Sequence, residues 1–192
     1  MDPQPACPRI KLSGDTTGPS KAASPPEAFS TSGLKKEANV KLEWMNHTGF
    51  VVSDMERSLA FYRDVLGLRE EINLIREGDA ISQIVGYPNA RLHVIYLGTG
   101  DLKHSVELIQ YLNPPGGKIA PTNRNDVGSS HLGIVVDDLD AIYEELSAKG
   151  VQFLGPPVSR PDTIYGRKVC YLQDPDGNWL EMLEGSPILR FA

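Results

Sequence analysis

Two histidines and two glutamates stand at matching places in two similar stretches of this chain. His47 opens HTGFVVSD and His131 opens HLGIVVDD, while Glu107 lies in SVELIQYL and Glu181 in NWLEMLE. Imidazole and carboxylate together suit Zn, Ni, Fe or Mn better than Ca or Mg. The sequence therefore predicts a metal site whose ligands are His47, Glu107, His131 and Glu181, holding one divalent ion drawn from Zn, Ni, Fe, Mn and Co.

Each of these residues, taken alone, also has an ordinary structural explanation. A single histidine in a strand is usually exposed or hydrogen-bonded within the core, and a glutamate in LEMLE is usually solvated. The matching register of both pairs in one internal repeat favours the metal site over the ordinary explanation.

The elements that carry the four residues follow the same order in each half of the chain. A strand over Trp44–Val52, a helix over MERSLAFYRDVLG and strands over Ala90–Leu97 and SVELIQYL make the first half. A strand over Ser130–Val136, a helix over LDAIYEELSAKG and strands over RKVCYLQ and NWLEMLE make the second. The pattern predicts an α+β protein of two tandem βαβββ modules, residues 41–112 and 131–192, joined by a loop over 113–130. Residues 1–40, rich in Pro, Ser, Gly and Thr, are predicted to be a disordered tail.

Composition and charge limit the partners. The net charge of -6 argues against nucleic-acid binding, which needs a basic face. No apolar run approaches the roughly 20 residues that cross a bilayer, and the N-terminus lacks the apolar segment of a secretory signal. The two cysteines fit free thiols in a reducing compartment, so a cytoplasmic protein without membrane contact is expected.

Four stretches together resemble the vicinal oxygen chelate superfamily, which includes glyoxalases, bleomycin-resistance proteins and extradiol dioxygenases. They are HTGFVVSDMERSLAFYRDVLGL, VELIQY, SHLGIVVDDLDAIYEELSAKG and YLQDPDGNWLEMLE. The resemblance covers Trp44 to Glu184 and implies an open, metal-centred barrel built from the two modules. It also implies ligands at His47, Glu107, His131 and Glu181 and a homodimer, in which the ligands of one site can come from both chains.

The resemblance implies a reaction in which the ion chelates two neighbouring oxygens of a small-molecule substrate and stabilises an enolate. A carboxylate beside the ion can take a proton next to a carbonyl, which makes Glu107 and Glu181 the candidate bases. A complete His-Glu-His-Glu set is similar to glyoxalase I and the acyl-CoA epimerases. The expected function is therefore a metal-dependent isomerase, epimerase or lyase.

Two alternatives stay open. An extradiol dioxygenase would use His47, His131 and Glu181 and leave positions for catecholate and oxygen, although Glu107 would crowd those positions. A drug-binding protein of the bleomycin-resistance kind would need no metal, and the four matched residues would then be superfluous.

Further residues are candidates for contact with the substrate. His93 alternates with Ile95 and Leu97 in a predicted strand and is a candidate second acid or base. Tyr111 stands where bacterial glyoxalase I enzymes have an asparagine that touches glutathione, and Val51 stands where they have an arginine. Three basic residues and one tyrosine in the predicted loops could bind a carboxylate or phosphate group of the substrate. These are Lys118, Arg124, Tyr165 and Arg167.

Overall fold

The computed structural model describes residues 42–101, 104–117, 124–160 and 168–185, and these form two four-stranded sheets. The first has the order β1-β4-β3-β2 and contains β1 (His47–Val51), β2 (Arg69–Glu77), β3 (Arg91–Gly98) and β4 (Ser105–Asn113). The second has the order β5-β8-β7-β6 and contains β5 (His131–Val136), β6 (Val158–Ser159), β7 (Lys168–Gln173) and β8 (Trp179–Glu184). The predicted tail lies outside the described residues.

The helices begin where the sequence places capping aspartates. Helix α1 (Met55–Leu59) continues as a π-helical segment (Ala60–Val65), and Asp54 accepts a hydrogen bond from the Arg57 amide. Asp138 caps α3 (Leu139–Ala148) through the Ala141 amide in the same way. A seven-residue helix, α2 (Asp79–Val85), begins after Gly78 without a side-chain cap and joins β2 to β3. None of the helices in the described part of the chain is long and apolar enough to cross a membrane.

The two sheets share one topology, which confirms the α+β class. The first strand of each sheet runs parallel to the last one, β1 beside β4 and β5 beside β8, and the other pairings are antiparallel. Strand β2 was not predicted, because its nine residues are largely exposed and lack regular apolar alternation. Strand β6 is only two residues long, which is too short for a sequence pattern.

Each sheet packs one face against the core, whereas its other face is exposed along its first strand, β1 or β5. In β1, Phe50 is buried against the helices whereas Val51, on the opposite face, is 51% exposed. In β4, Leu108 is fully buried on the same side as Phe50. Because side chains alternate along a strand, His47, Gly49 and Val51 share the open face. We call this open face of each sheet its site face.

The two sheets of one chain do not close into a barrel, in agreement with the predicted open form. The sheets are two separate sets of strands in the described residues, with no strand of one paired to a strand of the other. The physical reason is that the modules meet on their helix sides. Apolar residues that follow α1, Val65 and Leu66, pack with Ile134 and Val136 of β5 in a shared core.

A polar cluster also joins the two modules. The hydroxyl of Tyr62, in the π-helical segment, donates a 2.9 Å hydrogen bond to Asp174 in the turn between β7 and β8. In the same turn, Asp176 accepts hydrogen bonds from Ser53 and Arg57 at the start of α1. Tyr62 and Asp174 are both buried, and burial together with the Asp174 carboxylate raises the pKa of the Tyr62 hydroxyl well above its usual range.

Tyr62→Phe is expected to destabilise the protein while keeping the ring in place. Hydrogen bonds to charged groups contribute about 1.5–3 kcal/mol, so the free energy of unfolding should fall by about that amount. Urea unfolding followed by circular dichroism measures the difference. The control Tyr143→Phe keeps a ring that packs on Phe153 and should change stability by less than about 0.5 kcal/mol. Equal effects of the two substitutions would contradict a special contribution of the Tyr62–Asp174 bond.

Candidate metal centre

A histidine, a glutamate and a tyrosine meet on the site face of the first sheet. The Nε2 atom of His47 lies 3.2 Å from Oε2 of Glu107. The hydroxyl of Tyr96 donates a 2.5 Å hydrogen bond to the other carboxylate oxygen, Oε1. The rings of His47 and Tyr96 meet edge to face, with centroids 5.4 Å apart. We call these three residues half-site 1.

The second sheet repeats this arrangement with its own residues. Nε2 of His131 lies 3.2 Å from Oε2 of Glu181, and the Tyr171 hydroxyl donates a 2.7 Å hydrogen bond to Oε1 of Glu181. The His131 and Tyr171 rings are also edge to face at 5.4 Å. These three residues form half-site 2.

Sheet register explains why each trio comes together. Tyr96 is paired directly with Glu107 across β3 and β4, and Tyr171 with Glu181 across β7 and β8. Side chains of directly paired residues lie on the same face of a sheet and within reach of one another. The parallel neighbour of Glu107 is Gly49, two residues after His47.

Gly49 leaves room for the glutamate. A methyl group added at Gly49 would lie 3.2 Å from Oε2 of Glu107, closer than ordinary van der Waals contact. At Gly133, the matching position of β5, the nearest side-chain atom would be Cδ1 of Leu183 at 3.5 Å, which is an ordinary contact. A side chain at position 49 would therefore compete with the carboxylate for the space beside His47.

The tyrosine hydroxyls remain protonated donors at any pH near neutrality. Burial, the hydrogen bond to Glu107 and the charge of that carboxylate raise the pKa of Tyr96 to about 12. The same causes, with Glu181 as the partner, raise the pKa of Tyr171 to about 12. Each hydroxyl engages Oε1 and leaves Oε2 of its glutamate directed toward the histidine.

The spacing within each half-site fits two ligands of one ion. Nitrogen and oxygen ligands lie about 2.0–2.2 Å from a bound Zn²⁺, which puts two of them roughly 3.0–3.4 Å apart. The observed His–Glu distance is 3.2 Å in both half-sites. Among the residues that the structure describes, however, no three His, Cys, Asp or Glu side chains form a possible metal cluster. One chain thus presents the four predicted ligands as two separate pairs, whose histidine side chains are 37% and 46% exposed.

The other predicted site residues fall in different places. His93 lies on the same face of β3 as the buried Ile95 and on the opposite face from Tyr96. Its Nε2 atom is hydrogen-bonded to Asn73. His93 therefore does not join half-site 1. Tyr111 lies on the site face, four residues beyond Glu107 in β4. The Arg124 guanidinium lies 3.8 Å from the centre of the Tyr171 ring, beside half-site 2. Lys118, Tyr165 and Arg167 lie outside the described residues.

Three residues near the pairs went unassigned in the sequence. Tyr96 and Tyr171 occupy matching positions in the repeat, and that match was the available signal for a shared role. The sequence did not indicate a role for Glu71, because the direction of its side chain follows from a bulge between Glu70 and Ile72. Its Oε2 accepts a 2.7 Å hydrogen bond from Ser105 on the site face, and its buried Oε1 has no hydrogen-bond partner among the described residues.

Comparison with known proteins assigns the family. Residues 44–182 match the model of the Glyoxalase/Bleomycin resistance protein/Dioxygenase superfamily. The chain belongs to this superfamily, which is the vicinal oxygen chelate group indicated by the repeated motifs.

Individual relatives agree with the family over most of the chain. A 2-epi-5-epi-valiolone epimerase from Actinomyces is 30% identical over 146 residues, which are 72% of this chain and 78% of the relative. A lactoylglutathione lyase from Neisseria meningitidis is 28% identical, over 72% of this chain and 88% of its own length. The crystal structure of a glyoxalase family protein from Bacillus cereus superposes with a TM-score of 0.66 at 23% identity, covering 77% of this chain and 97% of that one. This last likeness confirms the fold.

Glu107→Gln is expected to lower the pKa of Tyr96 from about 12 toward its ordinary value of 10.0, because a neutral amide no longer opposes the phenolate. Burial should hold the pKa above that ordinary value. A pH titration of the tyrosine ¹³Cζ resonances measures the shift. Glu181→Gln is the matched control and should lower the pKa of Tyr171 alone; an unchanged Tyr96 titration in Glu107→Gln would show that the hydrogen bond is absent in solution.

Proposed function

We propose that this chain is a divalent-metal-dependent epimerase, isomerase or lyase that transfers a proton next to a carbonyl group. The single observation that carries the proposal is the repeated pair, a histidine and a glutamate held 3.2 Å apart with the same tyrosine contact in both modules. The names of the relatives, an epimerase and a lyase, support this reaction class.

His47, Glu107, His131 and Glu181 would together hold the ion. When bound, the ion supplies a Lewis acid that stabilises negative charge on the oxygens of an enolate. The protein would supply the base, because a glutamate Oε2 atom can take a proton from the carbon next to the carbonyl. Tyr96 and Tyr171 would hold Oε1 of each glutamate in place, so that only Oε2 is free to act.

We propose further that one complete site combines half-site 1 of one chain with half-site 2 of a second copy. Within the described part of a single chain the two pairs are not joined. Each pair lies on an open sheet face with an exposed apolar neighbour, Val51 in β1 and Val135 in β5. A second chain that covers these faces would bury the valines and supply the missing two ligands.

Arg124 supports an oxygen-rich substrate. Its guanidinium stacks on Tyr171 and lies 5.2 Å from the centre of the Trp179 ring, which holds a positive charge beside half-site 2. In this position it can bind a carboxylate or phosphate group of the substrate.

Mixing of two inactive variants tests both the ligands and the shared site. His47→Ala with Glu107→Gln removes half-site 1, and His131→Ala with Glu181→Gln removes half-site 2. Heterodimers of the two, isolated with separate affinity tags, should hold one ion per dimer by elemental analysis, whereas wild-type dimers hold two and each variant alone holds none. One intact site reappears because the intact halves of the two chains face each other.

Other results would contradict the proposal in distinguishable ways. Heterodimers without metal, beside a metal-loaded wild type, would show that each site closes within one chain. A wild type that stays metal-free when grown with metal would contradict the metal site itself and favour a drug-binding role. In D₂O, the loaded enzyme should exchange the hydrogen next to the carbonyl of its substrate; oxygen uptake with a catechol would instead favour ring cleavage.

A further inference from the structure

We propose that the site face of the first sheet carries a subsite for an uncharged apolar or aromatic group, centred on Tyr111. The substrate would then be an oxygenated carbonyl compound with an apolar arm, its oxygens at the metal and its arm along β1 and β4. This inference rests on the proposed function, since the metal pair fixes the reacting end.

Two adjoining cavities mark the subsite. One has a volume of about 480 Å³ and the other about 320 Å³, and they share Val51, Tyr111, Pro115, Gly116 and Gly117 as walls. Their volumes fall within the range of about 300–1,000 Å³ that is typical of small-molecule sites.

The smaller cavity lies on the same face as half-site 1, and the larger one extends from it to Ser53, Gln110 and Asp176. Val51 is four residues beyond His47 in β1, and Tyr111 is four residues beyond Glu107 in β4. Since strands alternate their side chains, all four point to one side of the sheet. Four residues of extended strand span about 13 Å, so the subsite is separate from the metal ligands but within reach of one extended molecule.

The walls are suited to an apolar group. The Tyr87 and Tyr111 rings meet edge to face with centroids 6.0 Å apart, and Val51 and Pro114 complete the smaller cavity. The smaller cavity has no acidic or basic side chain among its described walls. In the larger cavity the charge of Asp176 is already bound by Ser53 and Arg57. A charged arm would lose its hydration here without gaining an opposite charge.

Hydrogen bonds hold the walls in place. The Asn113 side chain donates a 2.6 Å hydrogen bond to the Asn89 carbonyl, which ties the end of β4 to the segment that carries Tyr87. On the core side of β4, Gln110 accepts from the Met55 amide and donates to the Ser53 carbonyl, which ties the strand to the start of α1. The subsite is therefore largely formed before a ligand binds.

Three hydroxamates test the subsite on the metal-loaded protein, because a hydroxamate chelates a divalent ion through two oxygens. Acetohydroxamate probes the metal alone. The second probe ends in a phenyl ring on about six methylene groups, to match the ~13 Å from Glu107 to Tyr111. The third has the same chain with a terminal carboxylate. Calorimetry should show the phenyl probe binding about tenfold or more tighter than acetohydroxamate, and the carboxylate probe gaining less.

Variants assign the gain to the subsite. Tyr111→Ala and Tyr87→Ala should each remove most of the phenyl advantage and leave acetohydroxamate affinity unchanged, whereas the control Tyr111→Phe should keep the advantage. A phenyl advantage that persists in both Tyr111→Ala and Tyr87→Ala, or equal gains from phenyl and carboxylate ends, would overturn the inference.

A probe without a chelating group separates this inference from the metal proposal. 4-Phenylbutanol should shift the NMR resonances of Tyr87 and Tyr111 in protein with or without metal. If no hydroxamate binds and no metal is found, but the alcohol still shifts these resonances, the metal proposal fails and the subsite stands. If the alcohol leaves both tyrosines unchanged, the subsite is wrong whatever the metal result.

Discussion

Both half-sites depend on one hydrogen bond, from a tyrosine hydroxyl to a single oxygen of a glutamate. A free glutamate side chain samples many rotamers, and two carboxylate oxygens can each face a histidine or an ion. The bonds from Tyr96 to Glu107 and from Tyr171 to Glu181 remove that freedom, because each engages Oε1. Oε2 then has one position, 3.2 Å from the histidine.

The tyrosines suit this role because their own chemistry is fixed. With the pKa of each hydroxyl raised to about 12, neither loses its proton near neutral pH. A donor that never ionises keeps the carboxylate in one orientation across the range in which a base must gain and release protons. In the proposed mechanism, the tyrosine would fix one carboxylate oxygen, Oε1, and leave the other, Oε2, to take the proton.

Periodicity and internal repetition predicted the α+β fold of two βαβββ modules, while the shared role of the four residues as ligands of one ion stays a prediction. Each of the four lies in a strand whose partner is set by the repeat, so matching sequence positions become matching positions on a sheet. The prediction for His93 illustrates the limit, since alternation with Ile95 and Leu97 was correct but those neighbours face the core. The face of a sheet that stays exposed is decided by where the helices pack. The sequence of a single strand does not contain that information.

Two other features lay beyond the sequence for a different reason. The direction of Glu71 follows from a bulge, which depends on the pairing of β2 with β3 rather than on either strand alone. The way the two modules join, with Val65 and Leu66 near Ile134 and Val136 of β5, was likewise not predicted. Both outcomes depend on contacts between distant segments, which local pattern does not specify.

The turn between β7 and β8 has a consequence for how the duplicated halves could be exchanged. Asp174 and Asp176 bind Tyr62, Ser53 and Arg57 of the other half, so the carboxylates of this contact come from the second half. The corresponding turn of the first half, GTGD, lacks the DPD sequence that supplies these two carboxylates. A polypeptide made of two identical first halves would keep its histidine–glutamate pairs but lose the acceptors that lock its parts together. The two halves thus differ in the residues that join them, although each carries the same histidine–glutamate pair.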